Sequence, residues 1–354
     1  MRVLFDLVHP AQVHFFKNAI GRLKTDGHAV LVAARGKDVA LALLDALGIE
    51  FRSISDKRGG PLGLAREWWV RAARLVRMAK DFRPDVMVAR VGVTAGPVGK
   101  LLGVPTVIYD DMEQARLQAT VGMSFATYIC TGLGYGRDFG TRQVRFAGPP
   151  VLAYLAPKYF TPDANRLRRC GIDPDDRLIF IRTVAWGASH DVGRKGSRPA
   201  ELRAMVERLS KFGRVLISSE GPLPDELAAW RNPVAVADIH HLLAFAAVCL
   251  VEGGTMAAES AVLGTPAVCL QSYNFGYLVA LEKQYGLIAR AGSVAAALPI
   301  AEGLLELPDL RQQWQKKRDR LLAESEDVTE FQLRMIERAA AEHPVKWKSS
   351  SSRS

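Results

Sequence analysis

The chain has 354 residues, 49% of them hydrophobic and 24% charged, with a formal net charge of +10. That length exceeds the size at which one hydrophobic core stops growing, so two domains are expected. No apolar run approaches the roughly 20 residues of a membrane-spanning helix. Met1 and Arg2 followed by "VLFDLV" make no secretory leader, so a cytoplasmic protein is expected, at most peripheral to the inner face of the membrane.

In chain order, short apolar runs alternate with helical ones. "RVLFDLV" reads as a strand. After it, "HPAQVHFFKNAI" puts His9, Pro10 and Gln12 in a loop and starts a helix at His14. An imidazole at a helix N-terminus has its pKa pushed down, which suits a general base, although a lone His is as often structural. "HAVLVAA" is the next strand, "DVALALLDALG" a helix and "FRSI" a strand. The glycine-rich "DKRGGPLG" then leads into a long helix over 64–82. That helix, "LAREWWVRAARLVRMAKDF", either rests on an anionic membrane or turns Trp68 or Trp69 into the core beneath a solvated basic face. The charge is concentrated here: residues 51–100 hold 11 Lys+Arg against 4 Asp+Glu, and residues 1–150 hold 21 against 13. This half therefore meets an anion or keeps a basic solvated surface. Nucleic acid fits least, because no aromatic platform or known module accompanies the charge.

"DVMVA", "TAGPVGKLLG", "PTVIYDD", "TYICT" and "VRFAG" continue the rhythm. In "YDDMEQ" Asp110, Asp111 and Glu113 crowd a strand's carboxyl end, where they bind a cation, orient a hydroxyl or cap a helix. Residues 148–167 then break the pattern with four prolines, which marks a linker. The alternation resumes with "LIFIRTV", helix 199–212, "RVLISSE", "DELAAW", "VAV", "IHHLLAFA", "VCLVE", "TMAAESAVLG" and "PAVCLQ". Strands alternating with helices imply parallel sheets built from right-handed βαβ units. The fold class is thus α/β: two doubly wound, Rossmann-like domains facing a cleft, where ligands meet the carboxyl ends of the strands. The boundaries fall at 1–150, a linker at 151–165, a second domain at 166–325, a helix at 326–343 returning to the first domain, and a polar, disordered tail at 344–354. Cys130, Cys170, Cys249 and Cys269 are scattered and read as reduced thiols, with neither zinc nor disulfide spacing.

Two segments of the second half carry chemistry. "IRTVAWGASHDVGRKGS" follows the first strand and precedes the first helix, where such folds cradle phosphates. Arg182, Ser189, Arg194 and Lys195 are suited to a diphosphate, or they line an exposed basic loop. In "EGGTMAAESAVLGTP", Gly253 and Gly254 open a helix whose residues 255, 256, 262 and 263 leave Glu259 without a cation three or four positions away. A buried carboxylate needs a partner. Vicinal ribose hydroxyls would supply one; backbone amides or a distant Arg would also serve. His240 and His241, just upstream, border a nucleobase or lie on a helix surface. Neither G-x-G-x-x-G nor a Walker lysine motif is present, which disfavours NAD and P-loop chemistry.

The motifs "DLVHPAQVHFFKN", "YDDMEQA", "VAWGASHDVGRKG", "SSEGPLPDEL", "HHLLAFA", "TMAAESAVLGTPA" and "LEKQYGL" resemble, almost end to end, the domain-of-unknown-function family numbered 354. That family is placed with the GT-B glycosyltransferases and is related to UDP-N-acetylglucosamine 2-epimerase. Gly187 departs from the Asn or Asp that members often show, which removes any side-chain role there. The resemblance implies that Glu259 holds a nucleotide ribose, with Gly253, Gly254, Thr255 and Met256 along the phosphate and ribose. It sets Arg182, Ser189 and His190 toward the diphosphate, and His14 in the place of a base in an acceptor-side domain. Lys195 and His241 complete the expected nucleotide-sugar site; His14, Asp111 and Glu113 are the expected catalytic set. The implied function is transfer of a sugar from a nucleotide-sugar, UDP-linked, to an unidentified acceptor, lipid-linked or soluble, with no cofactor and no metal. A 2-epimerase or hydrolase on the same donor, and a non-catalytic nucleotide-sugar-binding protein, are the alternatives.

Overall fold

Strands too apolar to face water, and joined through helices, pair in parallel with helices over both faces. The computed structural model contains this arrangement twice. It describes all residues except 37, 57–60, 114–115, 184–197, 271–273 and 348–354. The chain divides into two compact units, Met1–Tyr154 with Asp327–Ser354, and Leu155–Glu326.

Unit 1 runs β1 (Arg2–Leu7), α1 (Pro10–Thr25), β2 (Ala29–Gly36), α2 (Asp38–Ala46), β3 (Phe51–Asp56), α3 (Pro61–Phe82), β4 (Val86–Arg90), α4 (Ala95–Leu102), β5 (Thr106–Asp110), α5 (Arg116–Ser124), β6 (Tyr128–Thr131) and β7 (Gln143–Arg145). The sheet order is β3-β2-β1-β4-β5-β6-β7 and every pairing is parallel. The order reverses between β1 and β4, the switch point beside which open sheets bind ligands. Phe5, Phe15, Phe16 and Tyr109 fill the core edge to face, with ring centroids 4.7 to 5.4 Å apart. At α4 and α5 the backbones touch: a Cβ on Gly96 would lie 2.3 Å from the Gly122 carbonyl oxygen, so only glycine fits.

Unit 2 begins within the short helix α6 (Leu152–Leu155) and continues through α7 (Ala164–Arg168), β8 (Leu178–Thr183), α8 (Pro199–Leu209), β9 (Arg214–Ser219), α9 (Ile239–Phe245), β10 (Val248–Val251) and α10 (Gly254–Val262). β11 (Ala267–Cys269), α11 (Gly276–Lys283), β12 (Ile288–Arg290), α12 (Val294–Glu306) and α13 (Leu310–Ala323) complete it. Its parallel sheet has the order β12-β11-β10-β8-β9 and reverses between β10 and β8. Cys130, Cys249 and Cys269 are buried in strands, and burial pushes the Cys130 and Cys249 thiols up, Cys249 to about 12.

The last helix, α14 (Val328–Glu342), belongs to unit 1. Asp327 caps it by accepting from the Thr329 and Glu330 amides. Its Gln332 Nε2 donates to the Phe15 carbonyl at 3.0 Å, and its Thr329 hydroxyl donates to the Ala153 carbonyl at 2.8 Å. Val345 and Trp347 also lie against the core of unit 1, and the Trp347 indole donates to the Pro84 carbonyl at 3.2 Å. The first residues of the polar tail are therefore packed, because two apolar side chains in "VKW" outweigh its lysines. "DELAAW" is a 3-10 turn, and "VAV" forms no strand but leads into another 3-10 turn at Val236–Asp238.

Candidate functional site

The turn from β10 into α10 sits at the switch point of the second sheet. Glu252 is fully buried, and its amide donates to the Arg182 carbonyl at 3.0 Å, tying β10 to β8. Gly253 is the N-cap with ordinary extended angles, φ −99° and ψ 128°. Among the described residues a Cβ on Gly253 would meet nothing within 4 Å, whereas one on Gly254 would lie 2.8 Å from Leu278 Cδ1. Gly254 thus serves close packing, while at Gly253 no described residue crowds the first amides of α10. Those amides have no intrahelical acceptor and favour an anion. Thr255 and Met256 are half-buried beside them.

Glu259 lies in the second turn of α10, 5% exposed. His240, on α9, places Nε2 3.1 Å from its Oε1, and the imidazole is as deeply buried as the carboxylate. With a proton on Nε2 the ring donates to the carboxylate. His241, expected beside the nucleotide, faces the segment before α7. Its Nδ1 accepts from the Asp163 amide at 2.9 Å and its ring packs on Phe160 at 4.8 Å; burial lowers its pKa, as does Arg166. Successive helical residues diverge by about 100°, so only one of the two histidines faces α10. Arg182 stands at the end of β8 with Nη2 2.9 Å from Glu220 Oε1. Ser189, His190 and Lys195 lie outside the described residues.

In unit 1 the acids after β5 are sorted into different roles. Asp111 is held by both Nε (3.0 Å) and Nη2 of Arg90, the last residue of β4. Its charge is spent in that ion pair. Asp110, next to it, accepts from the Tyr135 hydroxyl and from the Met112 amide at 3.2 Å. Burial drives the Asp110 carboxyl up; the Tyr135 bond opposes this, Asp111 adds to it, and the result is about 6. The Tyr135 hydroxyl is itself pushed up by burial and by Asp110. Glu113 Oε1 accepts from the Gly136 amide at 3.0 Å. The β5 and β6 loops are therefore cross-tied twice, and Asp110 is the acid poised to exchange a proton near neutrality.

His14 does not begin a helix. Pro10 occupies the first position of α1 and His9 caps it, its Nδ1 accepting from the Ala11 amide at 3.2 Å. Proline favours that position because it has no amide hydrogen to satisfy. His14 lies in the second turn, stacked on Tyr154 at 5.3 Å, so the helix-terminus argument for its pKa does not hold. Lys17, one turn on, reaches the same ring at 5.8 Å, and burial lowers its pKa. Among the described residues no group of three or more His, Cys, Asp or Glu is arranged to hold a metal ion.

Arg90 and Tyr135 escaped the sequence reading. A cation closing the apolar run "VMVAR" was a usable signal for Arg90; Tyr135 lies in "GLGYGRD", which reads only as a turn.

Residues 1–337 match the family described as "Protein of unknown function (DUF354)", and the chain belongs to that family. An uncharacterized protein of Methanocaldococcus jannaschii is 24% identical over 278 residues, 75% of this chain and 80% of that one. A UDP-N-acetylglucosamine–N-acetylmuramyl-(pentapeptide) pyrophosphoryl-undecaprenol N-acetylglucosamine transferase of Bacteroides fragilis is 26% identical over 185 residues. That similarity spans 48% of this chain and only 47% of the transferase. Among solved structures, a UDP-GlcNAc 2-epimerase from Neisseria meningitidis bound to UDP-GlcNAc superposes with a TM-score of 0.71 at 12% identity, over 96% of this chain and 100% of that one. The calicheamicin glycosyltransferase CalG4 superposes with a TM-score of 0.62 at 14% identity, over 96% and 98%. The chain thus shares the α/β fold, with two parallel sheets, of GT-B glycosyltransferases and of these epimerases.

Proposed function

We propose that this family member moves a sugar from a nucleotide-sugar, UDP-linked, to an acceptor hydroxyl or amine. The observation that carries the reading is the Glu259–His240 pair, a buried acid in the second turn behind the Gly253 cap of α10. In this reading the ribose hydroxyls donate to Glu259, whose orientation His240 fixes. The diphosphate meets the first amides of α10, with Arg182 beside them. The acceptor oxygen or nitrogen forms a bond to the anomeric carbon and gives its proton to a general base. The bond from the anomeric carbon to the β-phosphate oxygen breaks, and its electron pair leaves on UDP. Helix amides and a guanidinium stabilise that leaving group, and the reading takes no metal.

The test follows UDP-N-acetylglucosamine by NMR, first with the protein alone and then with a membrane lipid extract added. Transfer predicts a stable donor until the extract supplies an acceptor, then release of UDP. A 2-epimer or free sugar formed from the donor alone would overturn it in favour of epimerisation or hydrolysis. Thermal stabilisation by UDP without turnover in any mixture would leave only a binding protein.

A further inference from the structure

On a helix, positions three and four apart share a face. In α3 one such stripe, Arg66, Trp69, Val70, Arg74, Arg77 and Lys80, is exposed along its length. The opposite face carries Arg71, Leu75 and Ala79 into the interior. The helix has two acids. Glu67 is turned inward, where Arg35 Nε and Nη2 bind it at 2.6 Å, and Asp81 lies in the last turn. The outer face is therefore cationic from Arg66 to Lys80.

At its centre Trp69 is 68% exposed. The pair "WW" is split in role: the Trp68 indole is half-buried and donates to the Val93 carbonyl at 3.1 Å, and the Trp69 ring stands edge-on to it at 4.9 Å. The inner ring thus braces the outer one. Val70 is 38% exposed beside it, and on α4, which packs against α3, Leu101 is 72% exposed next to Lys100. Indoles and short aliphatic chains amid arginines fit the headgroup layer of a bilayer better than they fit water.

We propose that this face docks the protein on an anionic lipid bilayer, with Trp69, Val70 and Leu101 entering the headgroup layer and Arg66, Arg74, Arg77 and Lys80 meeting lipid phosphates. The occupant follows from charge complementarity: a cationic face with an apolar centre matches a surface that is anionic outside and apolar beneath. The proposal does not depend on the transferase reading.

The full chain is sedimented with vesicles of phosphatidylcholine, alone or with about one third phosphatidylglycerol, at low and high salt. It binds the anionic vesicles, releases as salt shortens the Debye length from about 30 Å to about 8 Å, and leaves the neutral vesicles largely unbound. Trp69→Ser weakens partitioning by about tenfold. Arg66→Glu combined with Arg77→Glu weakens it by about thirtyfold or more. Both variants replace exposed side chains, so their melting temperatures match the parent's. A parent chain that stays in the supernatant with anionic vesicles overturns the proposal. So do variants that bind as the parent does, or light scattering showing a dimer that Trp69→Ser dissociates, which would make a second copy the occupant.

Discussion

Replacing Asp110 by Asn tests the environment of the acid cluster directly. The Asp110 carboxyl is raised from 3.8 to about 6, chiefly because burial disfavours its charge. An acid whose folded pKa exceeds its unfolded one favours the fold when protonated. That contribution is whole below about pH 4 and is lost as the pH rises through about 6. Two pKa units correspond to about 3 kcal/mol, which the folded state gives up at neutral pH to keep this group ionised. Asn has the same shape and no charge. Its Oδ1 still accepts from the Met112 amide, and its Nδ2 donates to the Tyr135 oxygen in place of the reverse bond. Some of the gain is lost with the charge-assisted bond from Tyr135, so the variant should be more stable by about 1–3 kcal/mol at pH 8. The difference should shrink through pH 6 and vanish near pH 4. Urea unfolding at several pH values measures it. A difference that is flat with pH, or that grows toward acid, would refute the assignment of the raised pKa to Asp110.

Arg90→Ala removes both bonds to Asp111 and leaves a carboxylate that is 8% exposed without that cation. Denaturant unfolding should show a loss of about 3–5 kcal/mol, much of it recovered when Asp111→Asn is added. Gly253→Ala places a methyl where no described residue lies within 4 Å and at angles alanine accepts. Its melting temperature should match the parent's, while UDP affinity by calorimetry falls about tenfold because the methyl occupies the approach to α10. His240→Ala removes the imidazole from Glu259 and should cost about 1–3 kcal/mol in urea unfolding.

Much of the fold was legible because its signal is periodic. Runs such as "VMVAR" and "LIFIRT" can only be buried strands, and the helices between them force parallel pairing. The sequence pattern also pointed to Glu259, since an acid among Ala, Met, Val and Leu demands a partner. Which partner was beyond it: His240 and His241 are indistinguishable as letters, and only the rotation of α9 selects one. The start of α1 was misjudged because the His9-Pro10 dipeptide reads as a loop when its role as cap and first helical residue is overlooked. The acids after β5 looked equivalent, yet Arg90 and Tyr135, 20 and more residues away, give Asp111 and Asp110 opposite roles. The split between Trp68 and Trp69 likewise depends on a carbonyl 25 residues downstream.

The central claim is that α10 presents a ribose-binding carboxylate, and titrating UDP into the parent and into Glu259→Ala by calorimetry tests it most directly. A folded variant whose affinity falls at least about tenfold, near 1.4 kcal/mol, is the predicted result. An unchanged dissociation constant would show that the nucleotide does not use this acid and would contradict the account.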